Sequence, residues 1–262
     1  MSLTPSRSAS VRAPNVRNHQ LRTSPGLLVA PLIICFHGSG SDPLPSWDNL
    51  IATLVKSYRV LLLDRGSENP TPEEDFPVML DYLRLHELNP PYVLVAHSYG
   101  GAFAKLFLHR RLKDVAGLVL VETGQEGGLS VEVRQFLNKR YALGDCPIVV
   151  IRGNSLIKHW KDLRVSKVAA ESQEEKQMLR ERRAWLEAAD REDEKLKKSQ
   201  LALSRNAKYV YLPDCGHGVV RESPEVVVEA VNWIMEQLTF TSTSKKSRST
   251  VPFWKTWWDF LW

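Results

Sequence analysis

The fold is decided by ten residues that run from an apolar stretch into a serine and two glycines: Val93-Leu94-Val95-Ala96-His97-Ser98-Tyr99-Gly100-Gly101-Ala102. The apolar stretch predicts a buried strand, and the residues after the serine predict a helix. A serine at such a junction lies on a tight, strained turn that exposes its hydroxyl, provided that its neighbours are small. Glycine usually stands two residues before this serine, and Ala96 is still small enough. Ser98 is therefore predicted to be a nucleophile; the alternative is that it only caps the helix.

Short apolar runs alternate with helical patterns along the rest of the chain. The runs that predict fully buried strands are 31–36, 59–63, 92–96, 115–121, 147–151 and 209–212. Apolar residues three and four apart predict helices over 47–57, 77–88, 101–112 and 224–238. This alternation predicts an α/β fold, with a mostly parallel sheet flanked by helices on both faces. Functional residues are then expected at the carboxyl ends of the strands.

A long charged segment, 157–206, precedes the last predicted strand. It carries an apolar stripe that includes Met178, Trp185 and Leu186, which predicts a pair of helices lying on the body of the protein. The alternative is a lid over a pocket, because the segment connects two strands that are predicted to carry site residues.

His217 is the best-placed base among the seven histidines. A serine hydroxyl needs a base to act as a nucleophile at neutral pH. His217 lies after the last predicted strand, in Leu212-Pro213-Asp214-Cys215-Gly216-His217-Gly218, and it follows the serine in the chain. His97 adjoins Ser98, but its side chain is expected to point away from the hydroxyl. The alternative for His217 is a structural role.

Two backbone N–H groups are expected to form an oxyanion hole, which stabilises the charge that develops on a carbonyl oxygen. One is that of Tyr99, directly after the serine. The other is that of Ser39, in the glycine-bearing loop His37-Gly38-Ser39-Gly40-Ser41-Asp42. The alternative is a simple turn. A phosphate-binding loop is disfavoured, because neither Gly-Lys-Ser/Thr nor Gly-x-Gly-x-x-Gly is present there.

The His-Gly loop at 37–38, the serine turn at 96–101 and Gly216-His217 resemble the α/β-hydrolase superfamily in order and spacing, within its serine-nucleophile branch. The resemblance extends over roughly residues 30–238. It implies an α/β-hydrolase fold with an eight-stranded sheet and a Ser/His/acid triad. Six of those strands are readable, so the first strands are expected to be reduced or absent near residues 10–30.

The acid is where the sequence departs from the family pattern. The resemblance implies a carboxylate after the strand at 147–151, where the sequence reads Arg152-Gly153-Asn154-Ser155. Some members place the acid one strand earlier, and Glu122 ends that strand here. Glu122 is therefore the candidate, with Asp162 and Glu126 behind it. The alternative is that Glu122 only closes a loop and that Asn154 or a water molecule orients His217.

A serine nucleophile predicts cleavage of an ester, thioester or related acyl bond through an acyl-enzyme intermediate. No cofactor and no metal is expected, and the partner is a small-molecule acyl substrate. Residues 124–145 and the charged helices are expected to cover the pocket. Two alternatives stay open: a cofactorless lyase or peroxidase with the same residues, and a non-catalytic binding protein on the same fold.

The predicted site residues lie in the middle of the chain, whose charge differs from that of the ends. The 262 residues carry a net charge of +5, but residues 1–41 hold four arginines and no acid, and the body at 42–238 is slightly acidic. Nucleic acid is therefore not expected as a partner. Three cysteines, an odd number without pairing or metal spacing, predict a reducing compartment and a cytoplasmic protein. The arginine-rich start also resembles a mitochondrial targeting peptide.

The predicted domains are a basic N-terminal segment at 1–28, an α/β-hydrolase domain at 29–238 and a tail at 239–262. The tail begins with a Ser/Thr/Lys-rich linker and ends in a segment with four of the eight tryptophans. Aromatic residues beside basic ones are typical of contact with a membrane interface. Docking onto the body or onto a second subunit is the alternative.

Overall fold

The computed structural model describes residues 17–19, 30–40, 46–65, 70–124 and 127–248. Within them, seven strands form one sheet: β1 (Arg17–His19), β2 (Leu32–Phe36), β3 (Arg59–Leu63), β4 (Tyr92–His97), β5 (Val115–Val121), β6 (Ile148–Arg152) and β7 (Ala207–Tyr211). Their order across the sheet is β1-β3-β2-β4-β5-β6-β7. Only β1 runs antiparallel to its neighbour, and the six longer strands are parallel.

Eight helices in the same residues flank the sheet: α1 (Asp48–Leu54), α2 (Pro72–Leu85), α3 (Gly100–Arg111), α4 (Val131–Leu137), α5 (Ile157–Ala169), α6 (Gln173–Ser199), α7 (Val219–Glu222) and α8 (Pro224–Arg248). Helices α2 and α3 pack on one face of the sheet, and α1 and α8 pack on the other. The predicted α/β fold, with a mostly parallel sheet flanked by helices, is confirmed.

The central strands are continuous apolar runs because both of their faces are buried. Along β2, Leu32, Ile34 and Phe36 belong to the core under α3, whereas Ile33 and Cys35 belong to the core under α8. All five side chains are fully buried, and each large one contributes about 1.5–3 kcal/mol to folding. The sheet is therefore rigid at the carboxyl ends of β4, β5 and β6, where the site lies.

All six predicted strands agree with the structure to within two residues at either end, and the difference at the edge of the sheet concerns burial. The prediction of a fully buried last strand is wrong: β7 has only β6 beside it, and its side chains are half-buried or exposed. The expectation of reduced first strands agrees with β1, which has three residues.

Two helices extend beyond their predicted limits. Helix α2 begins at Pro72 and not at Pro77, because Thr71 caps it and Glu74 bonds back to Thr71 in a capping box. Helix α8 continues to Arg248, into the segment predicted to be a linker, because no glycine or proline interrupts it after Pro224. The tryptophan-rich end of the tail, 249–262, lies outside the described residues, as do most of residues 1–28.

Helices α5 and α6 form the predicted pair, but the apolar stripe is only partly buried. Leu186 is buried, whereas Met178 and Trp185 are 61% and 60% exposed. The hairpin between the two helices therefore extends into solvent, and only the C-terminal half of α6 packs on the body.

Candidate active site

Ser98 lies on a strained turn between β4 and α3. Its φ angle is 51°, a left-handed value that is uncommon for a residue other than glycine. The strand leads straight into the helix, and Gly100 allows this because a Cβ atom there would lie 2.2 Å from the carbonyl oxygen of Phe36. Ala96 is completely buried, so the methyl group fits where glycine is usual. This local geometry holds the Ser98 hydroxyl at the carboxyl end of β4.

His217 reaches Ser98 from the loop after β7. Its Nε2 atom lies 2.9 Å from Ser98 Oγ, and its Nδ1 atom lies 2.9 Å from Glu122 Oε2. With the proton on Nδ1, His217 donates to the Glu122 carboxylate and accepts from the Ser98 hydroxyl. The structure therefore brings together the three side chains that the sequence placed at the ends of β4, β5 and β7.

The loop that carries His217 is fixed to the loop after β6. The backbone N–H of Asn154 donates to the carbonyl of Cys215 at 2.6 Å, and its side-chain amide donates to that of Pro213 at 3.0 Å. Gly153 is needed for this approach, since a Cβ atom there would lie 2.2 Å from the carbonyl oxygen of Gly216. Asn154 therefore holds the loop backbone, and Glu122 rather than Asn154 lies against the His217 ring.

Glu122 is a fully buried carboxylate with partners on both oxygens. It follows β5 with a φ of 52°, and the backbone N–H of Gly153 donates to Oε1 at 2.7 Å. The Ser155 hydroxyl donates to Oε2 at 2.5 Å, and the Lys197 ammonium lies 3.7 Å from Oε1. Burial by itself would raise the pKa of Glu122. The bond with His217, the charge of Lys197 and the bonds from Ser155 and Gly153 more than offset burial and hold its pKa at about 2.

Lys197 belongs to a chain of buried charges that fixes α6 over the site. Its ammonium group bonds to Asp193 at 2.5 Å, and Asp193 accepts from Arg152 at 2.8 Å. Arg152, the last residue of β6, also donates to the side chain of Asp190 at 2.5 Å. The charges alternate in sign along this chain of contacts, which attaches the C-terminal half of α6 to the end of β6 and to Glu122.

A cavity of about 290 Å³ opens beside Ser98 and His217. Its wall includes the turn at Ser98 and Tyr99, the helix α6, Gly127 before α4, and the residues Glu122, Ser155 and His217 that follow β5, β6 and β7. Both predicted covers, 124–145 and the charged helices, therefore contribute to it. The cavity reaches the side chains of Ser98, Glu122 and His217 directly, which is the access that a reacting group needs.

The two predicted oxyanion donors belong to segments that adjoin or contact Ser98. Tyr99 lines the cavity and directly precedes α3, so its N–H lies at the positive end of a helix. Ser39 is exposed, but the adjacent Gly38 packs against the serine: a Cβ atom on Gly38 would lie 3.2 Å from Ser98 Cβ. The Gly38–Ser39 peptide is therefore next to Ser98.

His97 contacts the backbone of His217. One ring nitrogen, Nε2, lies 2.8 Å from the carbonyl oxygen of His217 and donates to it. Burial is the main reason that the pKa of His97 falls to about 4, so the ring is neutral near pH 7. As predicted, the ring does not approach Ser98 Oγ as a base; it holds the backbone of His217.

The other candidate acids do not reach the histidine. Asp162 is exposed on α5, and Glu126 lies outside the described residues.

The sequence analysis did not identify Ser155 and Lys197 as site residues. Ser155 stands where the family pattern implies an acid, which was a usable signal. Lys197 had none, because one lysine in a charged helix resembles all the others. In the described part of the chain, no cluster of His, Cys, Asp and Glu has the arrangement of a metal site.

The chain matches the model of the Alpha/beta hydrolase family over residues 33–230. This match spans most of the sequence and includes Ser98, Glu122 and His217. The chain therefore belongs to the α/β-hydrolase family, as the resemblance in its motifs implied.

Solved structures share the fold at low sequence identity. The enol-lactonase from Burkholderia xenovorans LB400 superposes with a TM-score of 0.56 at 15% identity, covering 87% of this chain and 99% of that one. An esterase from Thermogutta terrifontis gives a TM-score of 0.53 at 19% identity, covering 86% of this chain and 93% of that one. At these identities the similarity concerns the fold.

Curated proteins also match this chain at low sequence identity. The probable transporter efuK of Hormonema carpetanum is 24% identical over 299 residues, which cover 84% of this chain and 41% of that protein. The uncharacterized protein YqjL of Bacillus subtilis is 21% identical over 220 residues, covering 74% of this chain and 79% of that protein. This chain thus spans less than half of the Hormonema protein.

Among the helices described, none is both long and apolar enough to cross a membrane.

Proposed function

We propose that this protein is a serine hydrolase that cleaves carboxylic esters, thioesters or related acyl bonds through an acyl-enzyme intermediate. One observation carries the proposal: Ser98, His217 and Glu122 are joined by two hydrogen bonds of 2.9 Å at the wall of a cavity. A hydroxyl bonded to an imidazole that is oriented by a carboxylate is an activated nucleophile.

In the proposed first step, His217 Nε2 takes the proton of Ser98 while Oγ attacks the acyl carbon. The resulting oxyanion accepts hydrogen bonds from the N–H groups of Tyr99 and Ser39. The imidazolium formed is stabilised by Glu122, whose low pKa keeps it ionised. His217 then gives its proton to the leaving group, and an acyl ester remains on Ser98.

In the second step, His217 accepts a proton from water, and the water oxygen attacks the acyl ester. Collapse of the second tetrahedral intermediate releases the acid and returns the proton to Ser98. The residues required are those of the first step, so no group outside the site is needed. The cavity volume of about 290 Å³ is at the small end for ligand pockets and favours short acyl groups.

The proposal is tested by labelling with a fluorophosphonate, which phosphonylates activated serines. We expect the wild type and the exposed-serine control Ser57→Ala to be labelled, and Ser98→Ala to remain unlabelled. Hydrolysis of p-nitrophenyl acetate should follow the same pattern. A folded wild type that is neither labelled nor active would refute the proposal and favour a non-catalytic binding protein on this fold.

A further inference from the structure

Arg65 is a buried cation directly behind the loop that carries Ser39. It lies two residues after β3 and is 8% exposed. Its guanidinium stacks on the ring of Phe103 at 4.2 Å and lies 5.9 Å from the ring of Tyr99. Both aromatic residues belong to the turn and helix after Ser98, so Arg65 packs between the two segments that provide the oxyanion donors.

A single nitrogen of Arg65 holds two successive carbonyl groups of that loop. Nη2 donates to the carbonyl oxygen of His37 at 2.7 Å and to that of Gly38 at 2.7 Å. The backbone N–H of Arg65 also donates to His37 Nε2 at 3.3 Å. Arg65 thus holds two carbonyl oxygens and one ring nitrogen of the loop after β2, and Nδ1 of His37 also lies 2.8 Å from the Gly38 carbonyl oxygen.

The hydrogen bond from Arg65 to the Gly38 carbonyl fixes the direction of the Ser39 N–H. In a planar trans peptide, the carbonyl and the N–H point in opposite directions. Because the Gly38 carbonyl points to Arg65, the N–H of Ser39 in the same peptide points away from Arg65. Gly38 packs on Ser98 Cβ, so this peptide lies beside the nucleophile.

We propose that Arg65 is a positioning residue for the oxyanion hole, which it serves by turning the Ser39 N–H toward the acyl carbonyl of the substrate. The inference rests on the proposed hydrolase function. Arg65 does not line the cavity and does not touch the reacting atoms. It acts through the Gly38–Ser39 peptide.

The cost of this arrangement argues against a merely structural role. Nε and Nη1 of Arg65 are buried and have no hydrogen-bond partner among the described residues. A buried donor without a partner destabilises the fold, and an apolar side chain would fill the same space without that cost. The benefit that an apolar side chain lacks is the pair of bonds to the His37 and Gly38 carbonyls.

The test compares Arg65→Met, which removes the donors, with Arg65→Lys, which keeps one ammonium group. We expect Arg65→Met to lower kcat for p-nitrophenyl acetate by about 100-fold, the size typical of losing one oxyanion donor. KM should change by less than about twofold, because the ground-state carbonyl uses that donor little. Arg65→Lys should recover part of the lost kcat. Leu83→Ala, a buried core substitution on α2, is the control for lost stability alone.

A double-mutant cycle with Ser39→Pro tests the route of the effect, since proline has no N–H. If Arg65 acts through Ser39, the double variant should be no slower than Ser39→Pro alone. Additive losses would overturn the inference, and so would a folded Arg65→Met with a kcat near that of the wild type. If Arg65→Met does not fold, Arg65→Lys and Ser39→Pro provide the same cycle. Failure of the proposed function appears separately, as a wild type that is neither labelled nor active, and it overturns the inference as well.

Discussion

The Ser155 hydroxyl lies 2.5 Å from Oε2 of Glu122, so the end of β6 donates to the carboxylate at the end of β5. Ser155 Oγ is also only 3.4 Å from His217 Nδ1. Two neighbouring strand ends therefore converge on one imidazole nitrogen. In the proposed triad the acid could be supplied from either strand, and Glu122 places its carboxylate there from the earlier one.

This convergence predicts that the acid can be moved. Glu122→Gln should lower kcat for p-nitrophenyl acetate by about 10³–10⁴-fold, because His217 loses the charge that stabilises its protonated form. Adding Ser155→Asp to that variant should restore part of the activity, since a carboxylate at 155 is within reach of Nδ1. Steady-state kinetics of the two variants measures the rescue. Ser155→Asn on the same background is the control, and equal activities of the Asp and Asn variants would disprove the transfer.

The carboxylate of Glu122 also predicts how stability depends on pH. Its pKa is about 2 in the folded protein against an ordinary 4.5, so it stabilises the fold above pH 4.5, and this contribution is lost as the pH falls toward 2. The difference corresponds to about 3 kcal/mol. Lys197→Met should reduce this contribution to stability, because the pKa of Glu122 rises when the nearby cation is removed.

Urea unfolding between pH 7 and pH 3 measures this effect. Lys197→Met should be less stable than the wild type at pH 7, and the two should converge as the pH falls. Lys195→Met, which removes an exposed lysine of the same helix, should leave the free energy of unfolding nearly unchanged. A constant difference between Lys197→Met and wild type across this range would contradict the prediction.

Gly100 is predicted to be indispensable for folding. The Cβ atom of an alanine would lie 2.2 Å from the carbonyl oxygen of Phe36, and that backbone cannot move without disturbing the central strands. Gly100→Ala should therefore lower the free energy of unfolding by about 3 kcal/mol or more. Gly127→Ala is the matched control, since its Cβ atom would meet nothing within 4 Å. Thermal melts that show equal stability of the two variants would speak against this reading of the turn.

His97 should remain neutral well below the pH at which a free histidine ionises. Its pKa of about 4, against an ordinary 6.5, means that protonation opposes the folded state. The resulting stability is present above pH 6.5 and is lost as the pH falls through 4. Nitrogen-15 NMR of the histidine rings should show no titration of His97 between pH 5 and pH 8.

The strands and the proximity of Ser98, Glu122 and His217 were predictable because local rules determine the strands and the turn. Continuous β-branched runs mark strands buried on both faces, and a serine between a strand and two glycines marks the turn. The edge position of β7 was not predictable, because its sequence resembles that of a buried strand while its burial depends on how many neighbours it has. The capping box at Thr71 and Glu74 is visible in the sequence, whereas the apolar spacing alone predicts a helix that starts at Pro77.

The surroundings of Glu122 show the limit of the sequence more clearly. Gly153 and Ser155 follow a different strand, and Lys197 comes from a helix after them. Nothing in the chain relates these residues until the sheet order places β6 beside β5. The same applies to Arg65, whose importance depends on which carbonyl groups lie around it.

The Lys197 contact divides the α5–α6 hairpin into two parts for protein engineering. A deletion that removed the C-terminal end of α6, which carries Lys197, would leave the buried Glu122 carboxylate without its counter-ion. That end of the hairpin therefore has to be kept. The outer end, around the exposed Val168 and Met178, contacts little else. It is the place where an affinity tag or a reporter peptide could be inserted while the active centre stays intact.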